Sequence, residues 1–398
     1  MGSLVNNTVE VEYKGDCNWG LRSKLLLENG LLIEACGFGS PDVRVGELVF
    51  TTGMVGYPET LTDPSYEGQI LIITHPLVGN YGVPSRDIVG DQIPLHYESD
   101  RIHVEALVVS YVTRPNHWSS IMSIHEWLES ENIPGLLNVD TRMLVKHIRE
   151  KGVMMAVVAV YPKDENVDNE YLKELLAKSG RYDSLELVSK VSPKKPIVHV
   201  PSKGYDNTIV LVDCGVKYGI LRELLARRFR VVRIPYDHNP IDYLYEYNAK
   251  GVVYSNGPGN PELLEDTIDY AREVIRCGIP TLGICLGHQI LALASGAKTF
   301  KLKYGHRGQN KPCINVENNE CFVTSQNHGY AVDERSLEGT GFKVWMLNID
   351  DKTVEGLKHT GKPVITVQFH PEGSPGPLDT MWIFDKFKSM VEKYGVSI

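Results

Sequence analysis

Residues 24–39, KLLLENGLLIEACGFG, place two apolar runs on either side of Asn29-Gly30. That dipeptide suits positive φ angles, so the pattern predicts a β-hairpin closed by a type I′ turn. Two further apolar runs, GELVFTTGM (46–54) and QILIITHP (69–76), predict strands. The period then changes. In SIHEWLESENI (123–133) and TRMLVKHIREKG (141–152) the apolar positions recur at helical spacing, with Gly152 closing the second helix. YPKDENVDNEYLKELLAKSGRYD (161–183) reads as a charged helix between loops. KVSPKKPIVHVPSKGYDN (190–207) has three prolines, four lysines and no period, which predicts a linker over 190–206.

From residue 208 strands and helices alternate. TIVLVDCG, FRVVRIPYD, AKGVVYSNGPGNP and IPTLGICLG read as strands, and YGILRELLARR and LLEDTIDYAREVIRCG as helices. This order predicts a doubly wound, mostly parallel α/β sheet with helices on both faces. Ligands of such sheets sit at the carboxyl ends of the strands, so the loops after Ser255, Ile284 and Phe369 should line one crevice. The expected organisation is an extension over 1–21, a smaller mixed β/α domain over 22–189, the linker, and a second domain over 207–398.

Composition narrows the function. A chain of 398 residues predicts two domains, and a net charge of −9 argues against a nucleic-acid partner. No apolar run is of membrane-spanning length, and the first residues lack an apolar signal core, so no membrane association is expected. The seven cysteines are irregularly spaced without a C-x-x-C. In a long chain without a secretory signal they predict reduced thiols and a cytoplasmic location, most of them acting as small core residues. Asn6-Asn7-Thr8 is formally a glycosylation sequon, with nothing else pointing to secretion.

The stretch GICLGHQ (283–289) carries the chemistry. Cys285 stands between Gly283 and Gly287, after an apolar strand and before the helix HQILALASG. Small residues on both sides of a nucleophile at a strand-to-helix turn form a nucleophile elbow, and a thiol there faces the positive end of the helix. A buried packing cysteine is the alternative for this stretch taken alone. His288 is not the expected base, because its ring should leave the elbow away from the thiol. The strand VITVQFHPEG (364–373) ends in His370-Pro371-Glu372, and residues two apart on an extended chain share a side. His370 is thus the candidate base and Glu372 its orienting carboxylate. Gly257 and Gly259 of SNGPGNP, with the amide of Leu286, can hold an oxyanion. SQNHGYAV (325–332) is polar enough to hold a small substrate. GLKHTGKP (356–363) has P-loop spacing but ends in Pro363 where Ser or Thr must hold magnesium, and it runs into a strand. No nucleotide cofactor and no metal are expected on this chain.

Cys285 in GICLGHQ, His370 and Glu372 in HPEG, and the SNGPG loop resemble the class I glutamine amidotransferases over about residues 207–390. Residues 46–84, together with VDTRMLVKHIREKG (139–152) and HPEGSPGP (370–377), resemble the small, glutamine-hydrolysing subunits of carbamoyl-phosphate synthases. That resemblance implies L-glutamine as substrate, with Cys285 as nucleophile and His370 and Glu372 completing the triad. It implies a glutamine pocket of Ser65, Gly257, Gly259, Leu286, Gln289, Asn327, Gly329 and Tyr330, the last standing where phenylalanine is familiar. It further implies that ammonia passes to a large synthetase subunit carrying the ATP and Mg chemistry. The alternatives are an amidotransferase subunit serving another acceptor, a stand-alone cysteine hydrolase, and a non-catalytic regulatory subunit.

Overall fold

The computed structural model describes residues 9–12, 15, 17–87 and 93–395. The Asn6-Asn7-Thr8 sequon lies outside the described residues. The chain forms two compact units. One comprises the chain through Thr62, Tyr66–Ser85 and Arg101–Leu185; the other comprises Asp63–Ser65, Arg86–Asp100 and the chain from Glu186 onward.

The first unit is built on β1 (Val9–Glu12), β2 (Leu21–Leu27), β3 (Leu31–Gly39), β4 (Asp42–Thr51), β5 (Gln69–Ile73), β7 (Ala106–Val109), β9 (Pro134–Leu137) and β10 (Met154–Pro162). Between them lie the short pair β6 (Val83–Pro84) and β8 (Ser120–Met122). The order is β1-β3-β2-β10-β4-β5-β7-β9, and a further β3–β9 pairing closes the sheet on itself. The nine-residue β3 makes this possible, because Leu31–Glu34 meets β1 while Cys36–Gly39 meets β9. β10, MMAVVAVYP, lies between β2 and β4, and its first eight residues are all buried. Such a continuous β-branched and small apolar run suits a strand covered on both faces. The helices are α1 (Tyr57–Leu61), α2 (Ile124–Ser130), α3 (Thr141–Lys151) and α4 (Asn169–Lys178). α2 starts on a capping box between Ser123 and Glu126, and α3 ends at Gly152 with φ 98°.

The 24–39 hairpin is present as β2 and β3, but its turn differs from expectation. Gly30 N donates to Leu27 O at 2.9 Å, and Gly30 alone has positive φ, at 88°, whereas Asn29 does not. A type I′ turn needs positive φ at both central residues. Three loop residues ending on a left-handed glycine give the type I turn with a G1 bulge instead. The extension also takes part in the fold, since β1 runs parallel to β3. Cys17 and Cys36 form a disulfide, which corrects the expectation of reduced thiols at these two positions. Their pairing depends on where the chain folds back on β3, which spacing alone does not reveal.

The second unit holds β11 (Ile197–His199), β12 (Asn207–Asp213), β13 (Phe229–Pro235), β14 (Val252–Tyr254), β15 (Thr281–Ile284), β16 (Thr299–Asn315), β17 (Cys321–Val332), β18 (Phe342–Asn348), β19 (Val354–His359) and β20 (Val364–Val367). Their order is β11-β13-β12-β14-β15-β20-β19-β18-β16-β17. The run from β13 to β20 is parallel, and both flanks are antiparallel. The segment expected as a linker supplies edge strand β11 and belongs wholly to this unit. Residues 356–363 run from β19 through a turn into β20, without the helix a P-loop requires.

The helices are α5 (Val188–Val191), α6 (Tyr218–Ala226), α7 (Pro240–Tyr247), α8 (Glu265–Cys277), α9 (Leu286–Ala294) and α10 (Trp382–Tyr394). Alternation along β12 shows the double winding. Val210 and Val212 pack with Leu244, Val274 and Ile290 from α7, α8 and α9. Ile209 and Leu211 pack with Leu221 and Phe384 from α6 and α10. Among the described residues no helix is long and apolar enough to cross a membrane.

Candidate active site

The parallel strand β15 ends at Ile284, and α9 begins at Leu286. Cys285 makes the whole change of direction with φ 54° and ψ −104°. A non-glycine residue held there is strained by about 1–3 kcal/mol. The two glycines around it are demanded by packing. A Cβ on Gly287 would stand 2.2 Å from Tyr254 O, and one on Gly283 would stand 2.6 Å from Leu291 Cδ1. The helix therefore presses onto β14, and Gly287 N bonds Ser255 O at 3.0 Å. The Cys285 side chain is 2% exposed, and its thiol donates to Asn327 O at 3.6 Å. The Leu286 amide belongs to the first turn of α9, whose N–H groups have no partner within the helix.

His370 lies three residues beyond β20. Its amide donates to Ser325 O at 2.8 Å, which ties it to β17. Its Nδ1 is 2.7 Å from Glu372 Oε1, and both side chains are buried. Nδ1 carries the proton of that bond, so Nε2 is the nitrogen left for proton exchange. Nε2 makes no hydrogen bond of ordinary geometry, although the Cys285 thiol is close enough to help hold the imidazole protonated. Burial alone would lower the His370 pKa; the Glu372 carboxylate outweighs it and pushes the group up to about 10. Glu372 is held well below the usual carboxylate range, because the charges of Lys217 and His370 outweigh its burial. His288 is turned away, as expected. It is buried, its Nδ1 is 2.7 Å from Thr366 Oγ1, and burial lowers its pKa to about 3.

Of the other expected residues, Asn327 meets the Cys285 thiol through its main-chain carbonyl. Ser65 was expected from the first domain, but Asp63–Ser65 groups with the second unit. The reason is polar. Asn256 Nδ2 donates to Ser65 Oγ at 3.0 Å, and Asn327 Nδ2 donates to Asp63 Oδ2 at 2.9 Å. Gly257 packs so closely that a Cβ would stand 2.1 Å from Cys214 O and 2.8 Å from Leu286 Cδ2. Gly259 has φ 88°. Gln289 Nε2 donates to Tyr330 O and to Gln368 Oε1, each at 2.9 Å. Tyr330 thus meets Gln289 through its main chain, so that bond does not distinguish tyrosine from phenylalanine. Gly329 lies between Asn327 and Tyr330 on β17, where an added Cβ would meet only Arg307 Nη2, at 3.5 Å.

Several contributors gave no signal in the sequence. Lys217 is 2% exposed and donates to Glu372 Oε1 at 2.8 Å, with Glu98 Oε2 at 3.9 Å. Glu98 comes from the 86–100 segment that joins the second unit, and it also pairs with Arg222 and accepts from Ser374 Oγ at 2.8 Å. Asn256 could have been read from SNGPG, next to Gly257. It bonds Ser65 and receives the Lys217 amide at 3.0 Å. A protected sulfur, an imidazole with an oriented proton and nearby amides suit nucleophilic acyl transfer.

Comparison with known proteins agrees with this geometry. Residues 210–390 match the family model of the class I glutamine amidotransferases, and residues 25–158 match that of the carbamoyl-phosphate synthase small chain, CPSase domain. The carbamoyl phosphate synthase small chain of Pyrococcus furiosus is 53% identical over 368 residues, covering 92% of this chain and 97% of its own. That of Sulfurisphaera tokodaii is 51% identical, covering 95% and 98%. The arginine-specific small chain of Saccharomyces cerevisiae is 43% identical, covering 94% and 89%. Two matched domains in this order, with such identity over nearly the full length, make the chain a member of the carbamoyl phosphate synthase small-chain family.

Proposed function

We propose that this chain is the glutamine-hydrolysing subunit of a carbamoyl-phosphate synthase and that Cys285, His370 and Glu372 are its catalytic triad. In this scheme the Cys285 proton already rests on His370, whose pKa is raised to about 10, and the sulfur attacks the side-chain amide carbon of L-glutamine as a thiolate paired with that imidazolium. The amides of Leu286, Gly257 and Gly259 stabilise the oxyanion. His370 protonates the leaving nitrogen, the C–N bond breaks, and ammonia departs from a glutamyl thioester. Water then attacks the thioester with His370 as base, releasing glutamate and restoring the thiol. Ser65 serves the substrate well in this scheme, because its oxygen is already engaged by Asn256 and its own proton is available to glutamine. Gln289, Asn327, Gly329 and Tyr330 complete the pocket.

Ammonia released into water is mostly protonated and no longer a nucleophile. In this proposal a large synthetase subunit receives it and, with ATP and Mg, converts bicarbonate to carbamoyl phosphate. The family of the first unit supports that acceptor over another. The single observation that carries the chemistry is the 2.7 Å bond from His370 Nδ1 to Glu372 Oε1 beside a thiol on a strained elbow.

The test is glutamate release from glutamine by the purified chain, alone and with a large synthetase subunit, ATP and bicarbonate. Slow hydrolysis that rises with the partner and vanishes in Cys285→Ser is the expected result. Equal rates with and without partner would rule out a coupled subunit, and hydrolysis surviving in Cys285→Ser would remove the thiol from the mechanism.

A further inference from the structure

His306 and His328 are directly paired residues of β16 and β17. Their rings meet edge to face, with centroids 5.0 Å apart. Glu355 joins them from β19, at the point where the β18–β19 register shifts. All three side chains are buried, Glu355 completely. One atom from each, two ring nitrogens and a carboxylate oxygen, lie within 4.8 Å of one another. Glu355 Oε1 is 3.6 Å from His306 Nδ1 and 3.9 Å from His328 Nε2.

The outer ring nitrogens explain which way the inner ones face. His306 Nε2 is 2.8 Å from Asp351 Oδ2, and His328 Nδ1 is 2.8 Å from Tyr330 O. A carboxylate and a main-chain carbonyl only accept, so each outer nitrogen carries the N–H. In a neutral ring the inner nitrogen then points a lone pair toward Glu355, itself an acceptor. Burial lowers the His306 pKa, but Asp351 and Glu355 outweigh burial and raise the pKa to about 9, so a cation entering there displaces a proton. His306 Nδ1 and Glu355 Oε2 are buried without a hydrogen-bond partner. Buried atoms left unsatisfied in this way destabilise the fold. The nearest polar neighbours give little relief. Gln326 Oε1, another acceptor, is 3.4 Å from His328 Nε2, and Asn348 Nδ2 and Thr353 Oγ1 reach Glu355 Oε1 only at 3.4 Å. A proton between His306 and Glu355 would have to span 3.6 Å, beyond a hydrogen bond. A cation bonded at about 2.0–2.2 Å to nitrogen and oxygen holds tetrahedral ligands roughly 3.3–3.6 Å apart, so the 3.6 and 3.9 Å separations here need close only slightly around it. Acceptors facing inward, with each imidazole anchored from behind by an oxygen, are the arrangement that histidine metal ligands adopt.

We propose that His306 Nδ1, His328 Nε2 and the Glu355 carboxylate bind a divalent d-block cation of the zinc class, with Asp351 and the Tyr330 carbonyl orienting the two rings. The ion ties β16, β17 and β19 together on the antiparallel flank of the sheet, beside the strand that carries Asn327 and Tyr330. The proposal is independent of the catalytic reading, and its test does not use activity.

The full chain is stripped with a chelator and titrated with zinc in competition with a chromophoric chelator, then loaded with cobalt(II). The expected results are about one equivalent bound, a raised thermal midpoint, and a cobalt spectrum with d–d bands but no thiolate charge transfer. Asp351→Asn, at a half-exposed turn residue, should weaken zinc binding about 10–100-fold, and Glu355→Gln should abolish stoichiometric binding. No stoichiometric zinc, thiolate bands from cobalt, or unchanged affinity in Asp351→Asn would overturn the site. If Glu355→Gln does not fold, the Asp351→Asn titration and the wild-type cobalt spectrum still decide.

Discussion

Lys217 Nζ donates to Glu372 Oε1 at 2.8 Å, on the same oxygen that accepts from His370 Nδ1 at 2.7 Å. The lysine charge therefore does two things. It keeps Glu372 ionised in a fully buried place, and it competes with the imidazole for one oxygen, which limits how strongly Glu372 can bind the His370 proton. Glu98, 3.9 Å away, completes the charge balance. In Lys217→Met both carboxylates stay buried while their main cation is gone. Breaking a buried pair from one side costs about 3–5 kcal/mol. Urea unfolding should show a loss of that size together with slower glutamine hydrolysis; an unchanged midpoint would mean that the network does not hold the fold.

The strain at Cys285 gives a prediction that separates backbone from side chain. Ala keeps a Cβ at φ 54°, ψ −104°, whereas Gly tolerates that region freely. Both variants lack the sulfur and should be inactive in the proposed mechanism. Cys285→Gly should nonetheless be more stable than Cys285→Ala by about 1 kcal/mol, although it buries less. In a folded structure relaxed at the elbow, the order would reverse.

The contrast between what could and could not be read from the chain follows the range of each interaction. The elbow, the His370–Glu372 pair and the alternating second unit were legible because each depends on neighbours two to four residues apart or on a regular period. The type of turn at Asn29-Gly30 was not, because one added loop residue changes the φ requirement without changing the composition. The segment over 190–206 looked like a linker because prolines and lysines hide a three-residue edge strand, where only one side of the backbone needs a partner. Asp63, Ser65 and Glu98 lie in the first hundred residues yet belong to the second unit through polar bonds to residues far along the chain, one each for Asp63 and Ser65 and several for Glu98. Lys217 and the His306–His328–Glu355 group are assembled by tertiary pairing alone, and no spacing announces them.

The pH dependence of stability should carry the signature of His370. Its folded pKa, about 10, lies above the unfolded value of about 6.5. A group raised in this way stabilises fully below its unfolded pKa, and its contribution is lost as pH rises through the folded value. Glu372 has the opposite sense: lowered on folding, it stabilises above the ordinary carboxylate range and loses that contribution in acid. The difference in thermal midpoint between wild type and His370→Gln should therefore be largest at mildly acidic pH, between the ordinary carboxylate range and about pH 6.5, and shrink as pH rises toward about 10. A difference that grew with alkalinity would contradict the sign.

Gly257→Ala probes the proposed oxyanion loop. The added Cβ would lie 2.1 Å from Cys214 O, a main-chain atom that cannot rotate aside, so the SNGPG loop must move. Since Leu286 Cδ2 lies on the other side at 2.8 Å, the displacement reaches the start of α9. A loss of about 1–3 kcal/mol in stability is expected, with a kcat for glutamine hydrolysis about 10²–10³-fold lower if an oxyanion donor is displaced. Intact kcat in a folded Gly257→Ala protein would exclude this loop from oxyanion binding.

The bridge between Cys17 and Cys36 closes a loop of 19 residues in the first unit. Cys36 is completely buried on β3, and Trp19, two residues after Cys17, packs against Phe38 and His125 at 6.0 and 4.7 Å. Loop closure of this length stabilises by about 3 kcal/mol through the unfolded chain. Cys17→Ser should lower the thermal midpoint of the oxidised protein and make it insensitive to reductant, whereas the wild type should fall toward the variant's value when reduced. Cys36→Ser would be a poorer probe, because it also buries a hydroxyl in the sheet. Glutamine hydrolysis should be unaffected in Cys17→Ser at temperatures well below the midpoint, since the reacting groups all belong to the second unit. Equal midpoints for wild type and Cys17→Ser under oxidising conditions would show that the bridge does not form in solution.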